Sequence, residues 1–201
     1  MILKNFKISI VLLLILVLSQ KTNAQFEKGD VIISAGISLG YHGNVAQHYN
    51  NSNQRVIPPI LFQAEKGFFK HISIGGCLEF HNRTYDYKHS DIYYKHTYFY
   101  IGAVGTYHAT YWLQKYKVFN FDWSKFDIYG SVKLGPVIES YHENDWDSNM
   151  GDYKNKSQVN IHFNGGPEIG CRYYLTNNFA GFMEFGYGNI ALATFGVSFK
   201  L

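Results

Sequence analysis

Apolar and polar residues alternate one by one along most of this chain, beginning at residue 31. In V-I-I-S-A-G-I-S-L-G-Y, Val31, Ile33, Ala35, Ile37, Leu39 and Tyr41 share one face, and Ile32, Ser34, Gly36, Ser38 and Gly40 share the other. A period of two is strand period, and this length suits a tilted strand that crosses a bilayer, which needs about 9–11 residues. The final stretch, Thr194 to Leu201, repeats the pattern with Phe195, Val197, Phe199 and Leu201 opposite Thr194, Gly196, Ser198 and Lys200. Six further strands are predicted between them, over 56–66, 72–81, 97–112, 126–141, 159–174 and 179–187. Pro58 and Pro59 fall at the start of the second, where a missing ladder donor is tolerated. In the fourth, both faces hold aromatics, and Phe99, Ile101, Ala103 and Tyr107 are assigned outward.

The connections carry a second pattern. Polar stretches at 42–55, 82–96 and 142–157 are long, those at 67–70, 175–178 and 186–189 are short, and 113–125 is intermediate and rich in aromatics. In an up-and-down meander alternate connections lie at the same end, so three long loops are expected at one rim. An even strand number lets the sheet close without an exposed edge. The predicted fold is all-β: an eight-stranded antiparallel up-and-down transmembrane β-barrel.

Alternation alone does not say which face is inside. A soluble ligand-carrying barrel would wear a polar exterior dense in Lys, Glu and Asp. Here the polar faces hold mostly Gly, Ser, Asn and Tyr, which suit the crowded lumen of an eight-stranded barrel. The isolated charges Glu65, Glu79, Lys133, Glu139, Glu168, Arg172 and Glu184 then fall inside. Buried charges persist when paired, so a lumenal charge network is expected in which Lys133 and Arg172 bridge several glutamates. His162 and water, or a protonated glutamate, would account for the surplus of acids.

Composition changes the picture at the N-terminus. Lys4 and Lys7 precede an apolar run from Ile8 to Leu18, then polar residues and Ala24, the arrangement of a signal peptide over residues 1–24 with cleavage before Gln25. The apolar run is too short for a membrane-spanning helix. Of the 18 Lys and Arg, three (Lys4, Lys7, Lys21) leave with this segment, so 15 basic residues face 15 acidic ones in the mature 25–201 domain. The basic character of the whole chain therefore gives no reason to expect nucleic acid as a partner. Cys77 and Cys171 fall on distant strands and opposite faces, which argues against a disulfide.

The block P-E-I-G-C-R-Y-Y-L-T-N-N-F-A-G-F-M-E-F-G-Y-G, from Pro167 to Gly188, together with T-F-G-V-S-F-K-L resembles the end of a small outer-membrane β-barrel domain of the OmpA/OmpX-like or opacity-protein-like type, especially the Bacteroidetes porin-family versions. The resemblance implies location in the cell outer membrane, with lipid or lipopolysaccharide around the barrel. It also implies that Thr194, Gly196, Phe199 and Leu201 form the signal read by the barrel assembly machinery, Leu201 standing where an aromatic is usual.

Candidate chemistry is sparse. His89, Ser90 and Asp91 juxtapose triad residue types, but neighbours in sequence point apart and a triad is a spatial arrangement. The pairs His42/His48 and His89/His96 lack the spacing of a metal site, and Asp145, Asp147 and Asp152 lack the order of a calcium loop. Tyr85, Tyr87, Tyr93, Tyr94, Tyr98 and Tyr100 suggest an interfacial girdle. The expectation is a non-enzymatic monomer without metal or other cofactor, with a structural, adhesive or surface-interaction role and a side-chain-filled lumen; its loops would meet an extracellular ligand or host surface. The alternatives are a lipid A-modifying barrel (acyl hydrolase or acyltransferase), which His81, His108, His142 and His162 near the rims keep open, and a soluble periplasmic ligand-binding barrel.

Overall fold

The computed structural model describes residues 26–41, 52–87, 92–118, 123–147, 152–188 and 190–201. Eight strands form one closed antiparallel barrel in chain order, with β1 against β8 at the seam. They are β1 (Val31–Tyr41), β2 (Ser52–Phe69), β3 (Ile72–Tyr87), β4 (Tyr93–His108), β5 (Phe126–Asp147), β6 (Asp152–Tyr174), β7 (Phe179–Gly186) and β8 (Ala191–Lys200); α1 (Thr110–Lys115) and a 3-10 turn (Trp123–Lys125) lie between β4 and β5.

The barrel is inside-out relative to a water-soluble one. Ile33, Phe62, Leu78, Ile101, Leu134 and Val197 point outward and are exposed, whereas Glu65, Lys133 and Arg172 are at most 2% exposed inside. Apolar side chains turned out over most of the circumference belong in hydrocarbon, and a closed ladder satisfies the backbone there. The outward assignments in β4 hold at Phe99, Ile101, Ala103 and Tyr107.

Several sequence expectations are corrected. The polar stretches 82–96 and 142–157 are mostly strand, since β3 runs to Tyr87, β4 starts at Tyr93, β5 runs to Asp147 and β6 starts at Asp152. Alternation fades there because a ribbon standing in water needs no apolar face, while its backbone still pairs. The long loops at that rim are thus replaced by tall ribbons with short connections at 88–92 and 148–151. The connection 42–51 lies outside the described residues. β2 begins at Ser52, so Pro58 and Pro59 sit within it, at the irregularity between Ile57 and Ile60 where the ladder with β3 shifts register; a bulge is where a strand tolerates a residue without an N–H. β4 ends at His108, and Tyr111 and Trp112 belong to a helical turn rather than to the strand. Tyr85, Tyr98 and Tyr100 are buried in the lumen instead of forming a girdle; away from the charged half, rings are what fills it.

The wall is uneven. β6 pairs with β5 from Tyr173 to Asp152, but its ladder with β7 runs only from Tyr174 to Glu168. Likewise β2 follows β3 up to Ser52, while its ladder with β1 stops at Ile60. Strands β2 to β6 therefore rise as a tall sheet above the low wall of β7, β8 and β1, at the rim opposite both described ends of the chain.

Candidate functional site

The lumen holds two tiers of charge, placed by the alternation of β2 to β7. In the tier nearer the chain ends, Arg172 of β6 reaches Glu65 of β2 through Nη2 at 2.9 Å and Asp127 of β5 through Nη1 at 3.1 Å. Its guanidinium lies 4.0 Å from the centroid of the Tyr129 ring. His108 Nδ1 contacts both carboxylate oxygens of Asp127 at 2.9 and 3.0 Å, and Nε2 lies 3.1 Å from Ser73 Oγ. In the next tier, Lys133 Nζ sits 2.6 Å from Glu168 Oε2 and 2.8 Å from Glu184 Oε2, and the Tyr129 hydroxyl donates to Glu184 Oε1 at 2.8 Å. Glu79 stands beyond, accepting the Ile190 N–H at 2.9 Å. Tyr129 thus joins the tiers, stacking under one cation and bonding the acceptor of the other.

Six of the seven charges picked from the sequence lie buried in this interior: Glu65, Glu79, Lys133, Glu168, Arg172 and Glu184. Glu139 is apart from them, part-exposed toward the tall rim with His96 Nδ1 3.6 Å away. His162 is exposed on the tall part of β6. The sequence reading left Asp127 and His108 out of the network. Asp127 has the same inward parity as Lys133 along β5, and His108 ends β4 inward, level with it, so the alternation that places the other charges places these two as well. Cys77 is buried, Cys171 half-buried, and both are free.

Asp127, His108 and Ser73 come in the order acid, base, hydroxyl that marks a hydrolytic triad. The hydroxyl hydrogen, however, goes to Glu65 Oε2 at 2.7 Å. Ser73 Oγ therefore turns a lone pair toward His108, opposite to what a general base needs from its nucleophile. The Phe26 ring lies flat on the imidazole, centroids 3.7 Å apart and planes 7° apart, and Ser73 is fully buried. His89, Ser90 and Asp91, the triad types noted in the sequence, lie outside the described residues. Among the described residues, no group of three His, Cys, Asp or Glu side chains is placed to hold a metal ion.

A cavity of about 270 Å³ opens at the rim of the chain ends, lined by Phe26, Lys28, Lys70, His71, His108 and Tyr111 among others. His71, on the turn between β2 and β3 and outside the spanning strands, is held below its ordinary pKa by partial burial and then by the neighbouring Lys70 and His108 side chains. Phe26 closes this mouth, seated over Gly67, where a Cβ would meet both its ring and the Glu27 carbonyl.

No family model and no curated protein matches the sequence. Solved structures do. The chain is similar to the outer membrane protein OprG from Pseudomonas aeruginosa at 12% identity and a TM-score of 0.50, covering 90% of this chain and 98% of that one. It is also similar to Ail, the attachment invasion locus protein of Yersinia pestis, at 13% identity and a TM-score of 0.48, covering 87% and 99%. A third is the N-terminal β-barrel domain of Pseudomonas aeruginosa OprF, at 16% identity and a TM-score of 0.37, covering 87% and 98%. The likeness to OprG shows the fold, that of a small outer-membrane β-barrel.

Proposed function

We propose that this protein is an integral outer-membrane barrel with a surface-interaction role, non-enzymatic, whose lumen is a packed strut rather than a pore. The observation that carries this reading is the tall ribbon. Side chains 155–163 of β6 are exposed on both faces, and Val159, Ile161 and Phe163 form an apolar row 63–70% exposed where β6 continues past the end of its ladder with β7. An exposed strand with an apolar face is suited to receiving a partner, through main-chain pairing for affinity and side-chain contacts for selectivity. The rim bearing the chain ends would face the periplasm and the ribbon the medium.

A lumen crossed by Lys133, Arg172, Tyr129 and their carboxylates leaves little room for solute, in keeping with eight strands. The triad-like order of Ser73, His108 and Asp127 favours a hydrolase as a second reading, weighed down by the donation of the hydroxyl to Glu65 and by Phe26 above the imidazole. The exposed apolar exterior speaks against the soluble periplasmic barrel. We further read residues 1–24 as the export signal and Thr194, Gly196, Phe199 and Leu201 as the assembly signal. In support of the latter, Phe199 and Leu201 project outward from the last strand at the seam, while Thr194 is turned inward and bonds Ser38 at 2.8 Å.

The test is topological. In a Cys171→Ser background, Gln158→Cys on the ribbon should react on whole cells with a membrane-impermeant maleimide, whereas Lys117→Cys should react only after the outer membrane is opened. Labelling of Lys117→Cys alone on intact cells would reverse the orientation. Loss of partner or surface attachment on changing Ile161 and Phe163 to Ser, with the barrel intact, is the expected functional result.

A further inference from the structure

The mature sequence is neutral, but the fold does not spread its charge evenly. The interior described above carries five acids and two bases. The compensating surplus of positive charge is gathered at the rim of the chain ends, where Lys28, Lys66, Lys70, Lys115 and Lys117 are exposed, Lys125 precedes β5, and Lys200 at the end of β8 turns inward over the Tyr174 ring. Glu27 and Asp30 oppose them at the rim, and the buried Asp127 lines the same cavity as Lys28 and Lys70. Asp30 is already engaged, its Oδ2 accepting the Glu27 N–H at 3.0 Å and lying 3.9 Å from Lys200 Nζ.

These lysines sit among aromatics at the edge of the apolar belt. Helix α1 and the residue after it carry Tyr111, Trp112 and Tyr116. Lys115 Nζ lies 5.1 Å from the Trp112 ring centroid and 5.9 Å from that of Tyr116, and Lys70 Nζ lies 4.7 Å from that of Tyr111. Trp112 Nε1 donates to the hydroxyl of the outward-facing Tyr107, which pins the helix to the barrel exterior. Phe68 and Phe69 continue the apolar surface below, 52% and 63% exposed. Trp and Tyr rings gather at the level of lipid headgroups, and an ammonium held over such a ring keeps its remaining hydrogens for an anion. A row of cations at this depth, set beside aromatic rings at the edge of the apolar belt, matches a layer of phosphates.

We propose that this rim is a binding site for anionic glycerophospholipid headgroups of the leaflet it faces, with Lys70 and Lys115 contacting the phosphate beside Tyr111, Trp112 and Tyr116. The proposal rests on the reading of the protein as a membrane barrel. It gives α1 a purpose that the barrel itself does not require: carrying the aromatic and cationic groups to the interface. Each lysine near an anionic surface is worth roughly a fivefold preference.

The experiment uses the full mature chain with Trp123 and Trp146 changed to Phe, leaving Trp112 as the emitter, inserted into phosphatidylcholine vesicles containing a fifth brominated lipid. Brominated phosphatidylglycerol should quench Trp112 as if bound at least about fivefold more tightly than brominated phosphatidylcholine at low salt. The preference should approach unity in molar salt and in Lys70→Gln/Lys115→Gln. Equal quenching by the two lipids, or a preference that survives in the double variant, overturns the proposal. A heat-modifiable barrel with no lipid preference defeats the headgroup site and leaves the membrane reading standing, whereas a chain that inserts into neither vesicle defeats both.

Discussion

Lys133 is the residue whose removal tests the packed lumen most sharply. Its ammonium is fully buried between Glu168 Oε2 and Glu184 Oε2, at 2.6 and 2.8 Å. Lys133→Met keeps the length of the stem and deletes the charge, leaving two carboxylates in a dry interior without their shared cation. Breaking a buried pair by removing one partner costs about 3–5 kcal/mol, a factor of about a hundred to several thousand in the folding equilibrium. With a urea dependence of about 2 kcal/mol per molar, the midpoint in vesicles should fall by roughly 1.5–2.5 M. The assay is urea unfolding followed by tryptophan emission and by the heat-modifiable band. Adding Glu168→Gln and Glu184→Gln to Lys133→Met should recover more than half of the loss, because a neutral tier has no uncompensated charge. A loss below about 1 kcal/mol for Lys133→Met, well short of the buried-pair range, would refute the reasoning and mean that water already reaches this tier.

Three further outcomes are expected. Gly170→Ala would drive a methyl into the Tyr129 ring, displacing the residue that joins the two tiers, and should cost about 1–3 kcal/mol as overpacking; unchanged unfolding would mean that the ring moves freely. A fluorophosphonate probe should leave Ser73 unlabelled in the folded barrel, and Phe26→Ala should not change this, since the hydroxyl still donates to Glu65; labelling detected by mass spectrometry in either form would revive the hydrolase reading. By NMR of imidazole-labelled protein, His71 should titrate below the ordinary range and remain neutral at pH 7, because its partial burial, and after it the neighbouring Lys70 and His108, oppose its protonation; a midpoint above 6.5 would contradict the packing at that mouth.

The barrel was legible because lipid and a crowded lumen impose opposite demands on alternate residues. That rule reads off β1 to the residue and β8 except for its first three residues, and gives the inward parity of Glu65, Lys133, Arg172 and Glu184. It fails where the demand lapses. Residues 82–86 and 142–144 stand above the belt, where all but Tyr85 are at least part-exposed, and nothing in Asn82, Arg83 or His142 announces that their backbones are paired. The aromatics mislead for a related reason: Tyr98 and Tyr100 have the composition of a girdle and the parity of a lumen, and parity decides. The clustering of Ser73, His108 and Asp127 depends on the lateral register of β3, β4 and β5, with Ser73 opposite Thr106 and His108 opposite Tyr129. Side-chain alternation within one strand carries no information about that register. The basic rim was hidden by the sum of charges, which is zero over residues 25–201 and says nothing about where each sign lies.

The most direct measurement of the central claim, an inside-out barrel held by a buried charge network, is electrophoresis of the outer-membrane fraction of expressing cells, unheated and heated, for wild type and Lys133→Met. The account predicts a wild-type band that resides in that fraction and shifts on heating, with the shift in Lys133→Met occurring at a distinctly lower temperature. A wild-type protein found soluble in the periplasm, with the same mobility before and after heating, would contradict it.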